Sequence, residues 1–284
     1  MTSYLITGAS GMLGRDLQTA LFGHAVTALG RADLDVTDLA AVRDAAAGHD
    51  VIINAAAYTN VDDAETHEDA AYAVNAIGAR NLAVAASAWS ARLVQVSTDY
   101  VFNGRAREPY REDTPLDPIS AYGRTKAAGE RFVLEENPER SFIVRTAWLY
   151  GAHGPNFART MLRLAGSHDT VSVVNDQHGQ PTWTADLARQ IVALLGAEAP
   201  PGIYHGTSSG EATWYDFARA VFSAAGLDPA RVTPTDSSHF ERPAPRPSYS
   251  VLGHDAWADA GLAPMRAWAD ALADASCQDT FGAK

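Results

Sequence analysis

The sequence predicts a doubly wound α/β protein. Three features carry this reading: short apolar runs recurring through the first half, amphipathic stretches of helix length between them, and a glycine-rich turn after the first run. Alternation between strand-length and helix-length patterns marks repeated βα units around a parallel sheet. The strand candidates are "YLIT" at 4–7, "AVTAL" at 25–29, "VIINA" at 51–55, "RLVQVS" at 92–97 and "SFIVRT" at 141–146. Their β-branched, nearly continuous apolar character suits strands covered on both faces. Between them, "GMLGRDLQTALF", "DLAAVRDAAAG", "EDAAYAVNAIGARNLAVAASA" and "YGRTKAAGERFVLEE" repeat apolar residues near helical spacing. After about residue 150 the rhythm changes. Pro-, Gly- and Asn-rich connections separate a helix near 156–165, a strand "TVSVV" and helices near 184–195 and 213–225. The division expected is a nucleotide-binding domain over 1–150 and a smaller α/β domain over 151–284, with some later segments packing back onto the first.

Composition narrows the function. The 284 residues are 46% hydrophobic and 20% charged, which excludes disordered and fibrous classes. A formal charge of -12 gives no footprint for nucleic acid or an anionic membrane, although a local basic pocket can still take a phosphorylated small molecule. A single cysteine, Cys277, rules out an intrachain disulfide and fits a reducing cytoplasm. No signal-like start or membrane-length apolar run is present. The nine histidines are scattered without metal spacing, so no obligatory metal is expected.

The turn after the first strand, "LITGASGMLGRDL", sets Gly8, Gly11 and Gly14 in a G-x-x-G-x-x-G pattern that opens a helix. Glycines there allow a tight turn and close approach to a pyrophosphate, and the helix N-terminus supplies free N–H groups. After the second strand come Gly30 and Arg31, where a ribose-binding carboxylate would select NAD. An arginine at that place neutralises a 2′-phosphate, which favours NADPH; a solvated loop cation is the plain alternative, and NADH then serves as well. Tyr122 and Lys126, four apart on a helix, project to one side. They follow Thr98, at the end of the fourth strand, by one βα connection.

The glycine spacing and this strand, Tyr-x-x-x-Lys, strand order resemble the extended short-chain dehydrogenase/reductases, which have a Rossmann sheet. The resemblance implies coenzyme contacts at Gly8, Gly11, Met12, Leu13 and Gly14, adenine contacts at Asp35 and Val36, and a close backbone at Ala55, Ala56, Ala57 and Tyr58. It implies a catalytic set of Thr98, Tyr122 and Lys126. Tyr122 would give a proton to the substrate oxygen as hydride arrives, Thr98 would hydrogen-bond the same oxygen, and Lys126 would lower the phenol pKa from ~10 and hold the nicotinamide ribose.

A closer resemblance rests on "VSTDYVFNG", "RTAWLYG", "NFARTMLRLA", "VVNDQHGQPTW" and "GIYHGTSSGEATWYDFA", in order from about residue 3 to 272. Together they are similar to the dTDP-4-dehydrorhamnose reductase family. This implies a dTDP-sugar partner, with Thr98 and Asp99 meeting the sugar, Trp148 packing on it, and Asn156, Gln177 and Arg246 in or near the pocket. Trp148 offers a flat apolar face to a deoxysugar, a core tryptophan being the plain alternative. Arg246, in the proline-stiffened "HFERPAPRPSYS", is suited to a diphosphate, where composition alone reads a surface linker with Arg242. Some family members bridge subunits with Mg²⁺ through glutamates. Arg15 and Ala185 stand at two of those places, so no metal-bridged dimer is expected, and monomer and homodimer both stay open. Other dTDP-4-ketohexose reductases share these motifs. Two further alternatives are an NADP-binding regulatory subunit like that of methionine adenosyltransferase, against which the intact set argues, and an epimerase or dehydratase. Dehydratases carry Thr-Asp-Glu where this chain has "TDY".

Overall fold

The computed structural model describes residues 1–278 and 280, so the end of the expected 151–284 stretch lies outside the described residues. Five strands fall where the apolar runs predict them: β1 (Ser3–Thr7), β2 (Ala25–Leu29), β3 (Val51–Asn54), β4 (Arg92–Thr98) and β5 (Ser141–Thr146). They are joined by α1 (Met12–Ala20), α2 (Leu39–Ala46), α3 (Glu68–Tyr72), α4 (Ala79–Ala88) and α5 (Ala121–Glu136). The next elements form the second lobe: β6 (Leu149–Tyr150), α6 (Phe157–Ala165), β7 (Val171–Val174), β8 (His178–Gly179) and β9 (Thr182–Trp183). The chain then returns through α7 (Thr184–Gly196) and β10 (Gly202–His205) before β11 (Ala212–Thr213), α8 (Trp214–Ala224), β12 (Val232–Thr235), α9 (Asp255–Asp259) and α10 (Trp268–Cys277).

The main sheet has the order β10-β5-β4-β3-β1-β2, with every neighbouring pair parallel. β3 and β5 are buried along their whole length, which explains why their sequences lack polar alternation. Helices cover both faces. Leu13 and Leu17 of α1, with Leu21 just beyond its end, pack with Leu187, Ile191 and Leu194 of α7 on one side. Val42 of α2, Leu82 and Ala86 of α4 and Val133 of α5 pack on the other. The order reverses between β1 and β3, and that crevice at the carboxyl ends of the strands is where doubly wound sheets bind ligands.

The sixth strand, β10, comes from beyond residue 200, and α7 covers the sheet beside α1. "GIYH" is too short to announce itself by pattern, and its place is set by pairing with β5. The second lobe has its own core around Tyr150, Trp183, Phe217 and Phe222, under three two-stranded pairs.

The run 68–88, which reads as one helix, is broken by a π-helical turn at Ala73–Gly78. The wide turn carries Asn75, whose amide donates to Tyr58 O at 3.1 Å and Thr125 Oγ1 at 3.0 Å while its oxygen accepts from Tyr58 N at 2.9 Å. It thereby ties the loop after β3 to α5; π turns recur at functional sites for this kind of displacement.

Candidate active site

A cleft of about 1090 Å³ opens at the β1/β3 switch point and runs from the glycine loop to the second lobe. At one end lie Gly8, Gly11, Met12, Leu13 and Gly14. Gly8 has φ +69°, and a Cβ there would stand 2.5 Å from the Ala55 and Ala56 backbone; one on Gly14 would stand 2.3 Å from Gly8 O. A Cβ on Gly11 would meet only Gly8 O, at 3.2 Å. The first and last glycines thus fold the loop and the middle one leaves it open. Gly11 caps α1 without a side-chain hydrogen bond, and no acidic residue occupies the first turn, so the helix N-terminus is available to an anion.

The end of β2 presents Gly30 and Arg31 to the same cleft, with Ser10 of the glycine loop against Gly30. Asp33, the first carboxylate after β2, is turned back to accept from Gly30 N at 2.9 Å. Asp35 and Val36 also line this end. The Asp35 carboxylate accepts from Thr37 N and Oγ1, at 2.9 and 2.8 Å, which holds its pKa below the usual carboxylate range. Ala55, Ala56, Ala57 and Tyr58 form the facing wall. A row of buried amides braces it: Thr7 Oγ1 donates to Asn54 Oδ1 at 2.6 Å, Asn54 Nδ2 to Gln95 Oε1 at 2.7 Å, and Gln95 Nε2 to Val96 O at 2.9 Å.

Thr98, Tyr122 and Lys126 come together in the middle of the cleft. Ser120 caps α5 by accepting from Gly123 N at 3.1 Å, which fixes where the helix starts and hence where Tyr122 points. Lys126 is buried and gives one N–H to Val96 O at 2.6 Å. Burial lowers its pKa to about 8, against the opposing pull of Glu130. The Thr98 hydroxyl beside the Tyr122 phenol pulls its pKa down. Burial nevertheless raises its pKa to about 12, with a further push from Asp99. The sequence-based expectation that Lys126 lowers the phenol pKa is therefore corrected. The ammonium is turned to the Val96 carbonyl, and desolvation governs the phenol.

Asp99, beside them, is fully buried. Burial raises its carboxyl to about 6 although the Thr98 and Ser250 hydroxyls pull the other way. Its Oδ1 accepts from Thr98 Oγ1 at 3.0 Å, while Oδ2 meets no donor at bonding distance. Thr146 Oγ1, also on the cleft, is another buried polar atom without a partner. Orphaned polar atoms on the wall of a large cleft fit a polar occupant.

At the far end Trp148 adopts φ +47°, rare for a bulky side chain. Its indole stacks on Trp214 at 3.6 Å and 9°, and its edge packs over Gly179, where a Cβ would come within 2.5 Å of the ring. Backbone strain of this kind persists only where surrounding packing imposes it. Trp214, His153 and Tyr100 also line this end, and the motif reading did not single them out as contacts. Trp214 lies inside a stretch quoted for the family resemblance, but an aromatic in a helix start looks like core. Tyr100 sits edge-on to Tyr122, ring centres 5.6 Å apart.

Three expected sugar-site residues lie off the lining. Asn156 caps α6, accepting from Arg159 N at 3.1 Å and donating to Gly151 O at 2.9 Å, so its amide is committed locally. Gln177 is half-buried in the turn before β8. Arg246 donates to Asp62 Oδ1 at 2.9 Å and Ala244 O at 2.7 Å, closing the proline-rich loop onto the loop after β3. Among the described residues, no helix is long and apolar enough to cross a membrane.

The cleft thus joins a phosphate-ready glycine turn to a Thr, Tyr and Lys floor and an aromatic wall from a second lobe, and the whole chain is similar to known proteins. A dTDP-4-dehydrorhamnose reductase of Streptomyces griseus is 56% identical over 279 residues, covering 95% of this chain and 92% of the relative. A dTDP-4-keto-6-deoxy-D-glucose reductase of Streptomyces niveus is 54% identical, with 96% of each chain covered. The solved dTDP-4-dehydrorhamnose reductase of Bacillus anthracis, in complex with NADP, superimposes with a TM-score of 0.94 at 40% identity, covering 98% of this chain and all (100%) of that one. The model of the RmlD substrate binding domain matches residues 1–280, and by sequence and fold together the chain belongs to that family.

Proposed function

We propose that the protein is an NADPH-dependent reductase of the C4 ketone of a dTDP-4-dehydro-6-deoxyhexose, with dTDP-4-dehydro-L-rhamnose as substrate and dTDP-L-rhamnose as product. The observation that carries this reading is the protonated Tyr122 phenol, with the Thr98 hydroxyl beside it where the two ends of the cleft meet. NADPH supplies the hydride when bound. Gly8, Gly11 and Gly14 shape the turn for its pyrophosphate, Arg31 answers the 2′-phosphate, and the two N–H groups of Lys126 not used on Val96 O are free for its ribose. Thr98 and Tyr122 then act on the ketone. Negative charge growing on the C4 oxygen meets the Thr98 hydroxyl and takes the proton of Tyr122. Asp99 stands next to both to orient a sugar hydroxyl, and Trp148 with Trp214 gives the apolar face of the deoxysugar a wall. Arg246 retains Nε and Nη2 free of hydrogen bonds among the described residues and is assigned the diphosphate end.

Anaerobic mixing of the protein with NADPH and dTDP-4-dehydro-L-rhamnose, followed spectrophotometrically, tests the reaction. Coenzyme oxidation with formation of dTDP-L-rhamnose is expected, and no oxidation above the uncatalysed background refutes it. A second reading, reduction of another dTDP-4-ketohexose, is favoured by the name of the Streptomyces niveus relative. The C4 configuration of the product decides between them, because it depends on which ketone face meets the coenzyme. On either reading the protein works in the cytoplasm, as a monomer or a homodimer.

A further inference from the structure

Tyr122, Lys126 and Glu130 form one stripe along α5, and three consecutive residues of β4 receive it. Thr98 stands beside Tyr122, Val96 O takes the ammonium of Lys126, and the Ser97 hydroxyl donates to Glu130 Oε1. Glu130 has no exposed surface to speak of, at 1%. Arg145 of β5, also 1% exposed, grips it through both carboxylate oxygens: Nε lies 3.0 Å from Oε1 and Nη2 2.8 Å from Oε2. Arg145 Nη1 donates to Glu112 O at 3.1 Å and faces His205 Nε2 at 3.3 Å. His205 is neutral, with Nδ1 2.9 Å from Gly253 O; burial first and the Arg145 charge second hold its pKa down to about 3. We propose that Glu130, locked in place by Arg145, is a positioning residue that keeps Lys126 in its ammonium form against Val96 O.

The argument is one of charge in a dry place. Lys126 and Arg145 are both cations, both buried, and only Lys126 can lose its proton there. From α5 the ionisable groups near Lys126 are Tyr122 and Glu130; from the turn after β4, Asp99; from β5, Arg145; from β10, His205 behind Arg145. Tyr58, in the loop after β3, carries its proton. Glu130 is thus the carboxylate that acts on Lys126, and burial opposes it. The two-pronged arginine holds the carboxylate still, since a free glutamate would swing to meet the ammonium and draw it off the strand. The composition points the same way. The chain has 22 Lys and Arg residues, of which Lys126 and Lys284 alone are lysines, so at nearly every other place a cation is an arginine.

Two lysines make the test direct. The midpoint of Lys126 is read by lysine-ε-¹³C NMR titration of the full chain without added coenzyme, Lys284 serving as internal reference. The wild-type midpoint is expected near 8. Glu130→Gln should lower it by about one unit or more, and Arg145→Met should raise it, since the carboxylate then serves Lys126 alone. Opposite signs are what a mere structural role does not produce. Loosening the site to water would move every variant up toward the ordinary ~10.4 of lysine. An unchanged or raised midpoint in Glu130→Gln overturns the proposal. If neither single variant folds, the charge-free pair Glu130→Gln with Arg145→Met decides. A midpoint below wild type supports the proposal, and one at or above it overturns it. The turnover arm rests on the reductase reading: the alkaline limb of kcat should move down with the Lys126 midpoint in Glu130→Gln. Absence of turnover in wild type would sink the reductase reading alone, because the titration judges Lys126 without it.

Discussion

Beside the glycine loop the cleft is walled by Gly8, Gly11, Gly14 and Ala55 to Ala57, whereas beside the second lobe it is walled by Tyr100, Trp148, Trp214 and the buried Asp99. The first wall is main chain, brought close because side chains are missing, and braced from behind by the Thr7, Asn54 and Gln95 row. The second is made of large side chains from distant segments, one of them in a left-handed conformation. Backbone presents the same N–H groups whatever surrounds it, so the first wall suits a ligand that many enzymes share. Side-chain walls can change residue by residue, so on the function proposed above the second is the wall that would set the choice of sugar. The 54% identical relative named for a different sugar from that of the 56% identical one fits this contrast.

The contrast can be broken at its seam. Tyr122→Phe should lower kcat by roughly 10² or more while NADPH and dTDP affinities stay near wild type, because the phenol oxygen serves the reacting atom and neither wall. Rapid-mixing turnover together with calorimetry checks it, and near-normal kcat removes Tyr122 from the proton-donor role.

Asp99 gives the next largest effect, on stability. Its folded pKa of about 6 lies above the ordinary 3.8, so the folded protein favours the protonated acid. Stability from this group is therefore complete below about pH 4 and is lost as pH rises through 6. Asp99→Asn should be more stable than wild type at pH 7.5 by about 2 to 3 kcal/mol relative to the same comparison at pH 4. Denaturant melts at the two pH values measure this, and a pH-independent difference would mean that the side-chain wall carries no such cost.

Arg246→Ala should weaken dTDP binding by about 1.5 to 3 kcal/mol and leave NADPH affinity alone, as expected of a charge-assisted contact on the sugar side. Equal loss for both ligands in calorimetric titrations would show instead that its ion pair with Asp62 merely holds the loops. The smallest effect belongs to Arg31, exposed at the rim. Arg31→Ala should narrow the preference for NADPH over NADH by roughly tenfold, about 1.4 kcal/mol, in kcat/KM. An unaltered preference would leave the 2′-phosphate to Ser10 and the loop backbone.

The walls also differ in how far sequence discloses them. Gly8, Gly11, Gly14, Tyr122 and Lys126 sit at fixed short spacings within single βα units, so local pattern locates them and the five apolar runs locate the strands. Trp214 reaches the cleft through packing between segments far apart in the chain, which no periodicity records, whereas Tyr100 stands only two residues after Thr98 and escapes notice because the motif centres on Thr98 and Asp99. Asn156 misled for the opposite reason: an asparagine before a helix is a cap by local rules, and the cap is where its amide went. The Tyr122 pKa could not be read either, since spacing gives direction along a helix and not the burial that outweighs a neighbouring charge.

The lateness of β10 has a consequence for how the chain comes into being. During synthesis β5 is complete about sixty residues before its outer neighbour, Gly202–His205, has been made. Until then its buried, apolar length is an open sheet edge, a template for wrong pairing. The opening part of the second lobe, β6 to β9, is spliced between a strand and that strand's partner, so the sheet cannot close before Trp148 and that part of the lobe exist. Truncations after residue 150 should accordingly yield an aggregating five-stranded sheet with an open edge instead of a small coenzyme-binding protein. Any slowing of translation between β5 and β10 should lengthen the interval in which a chaperone must hold that edge.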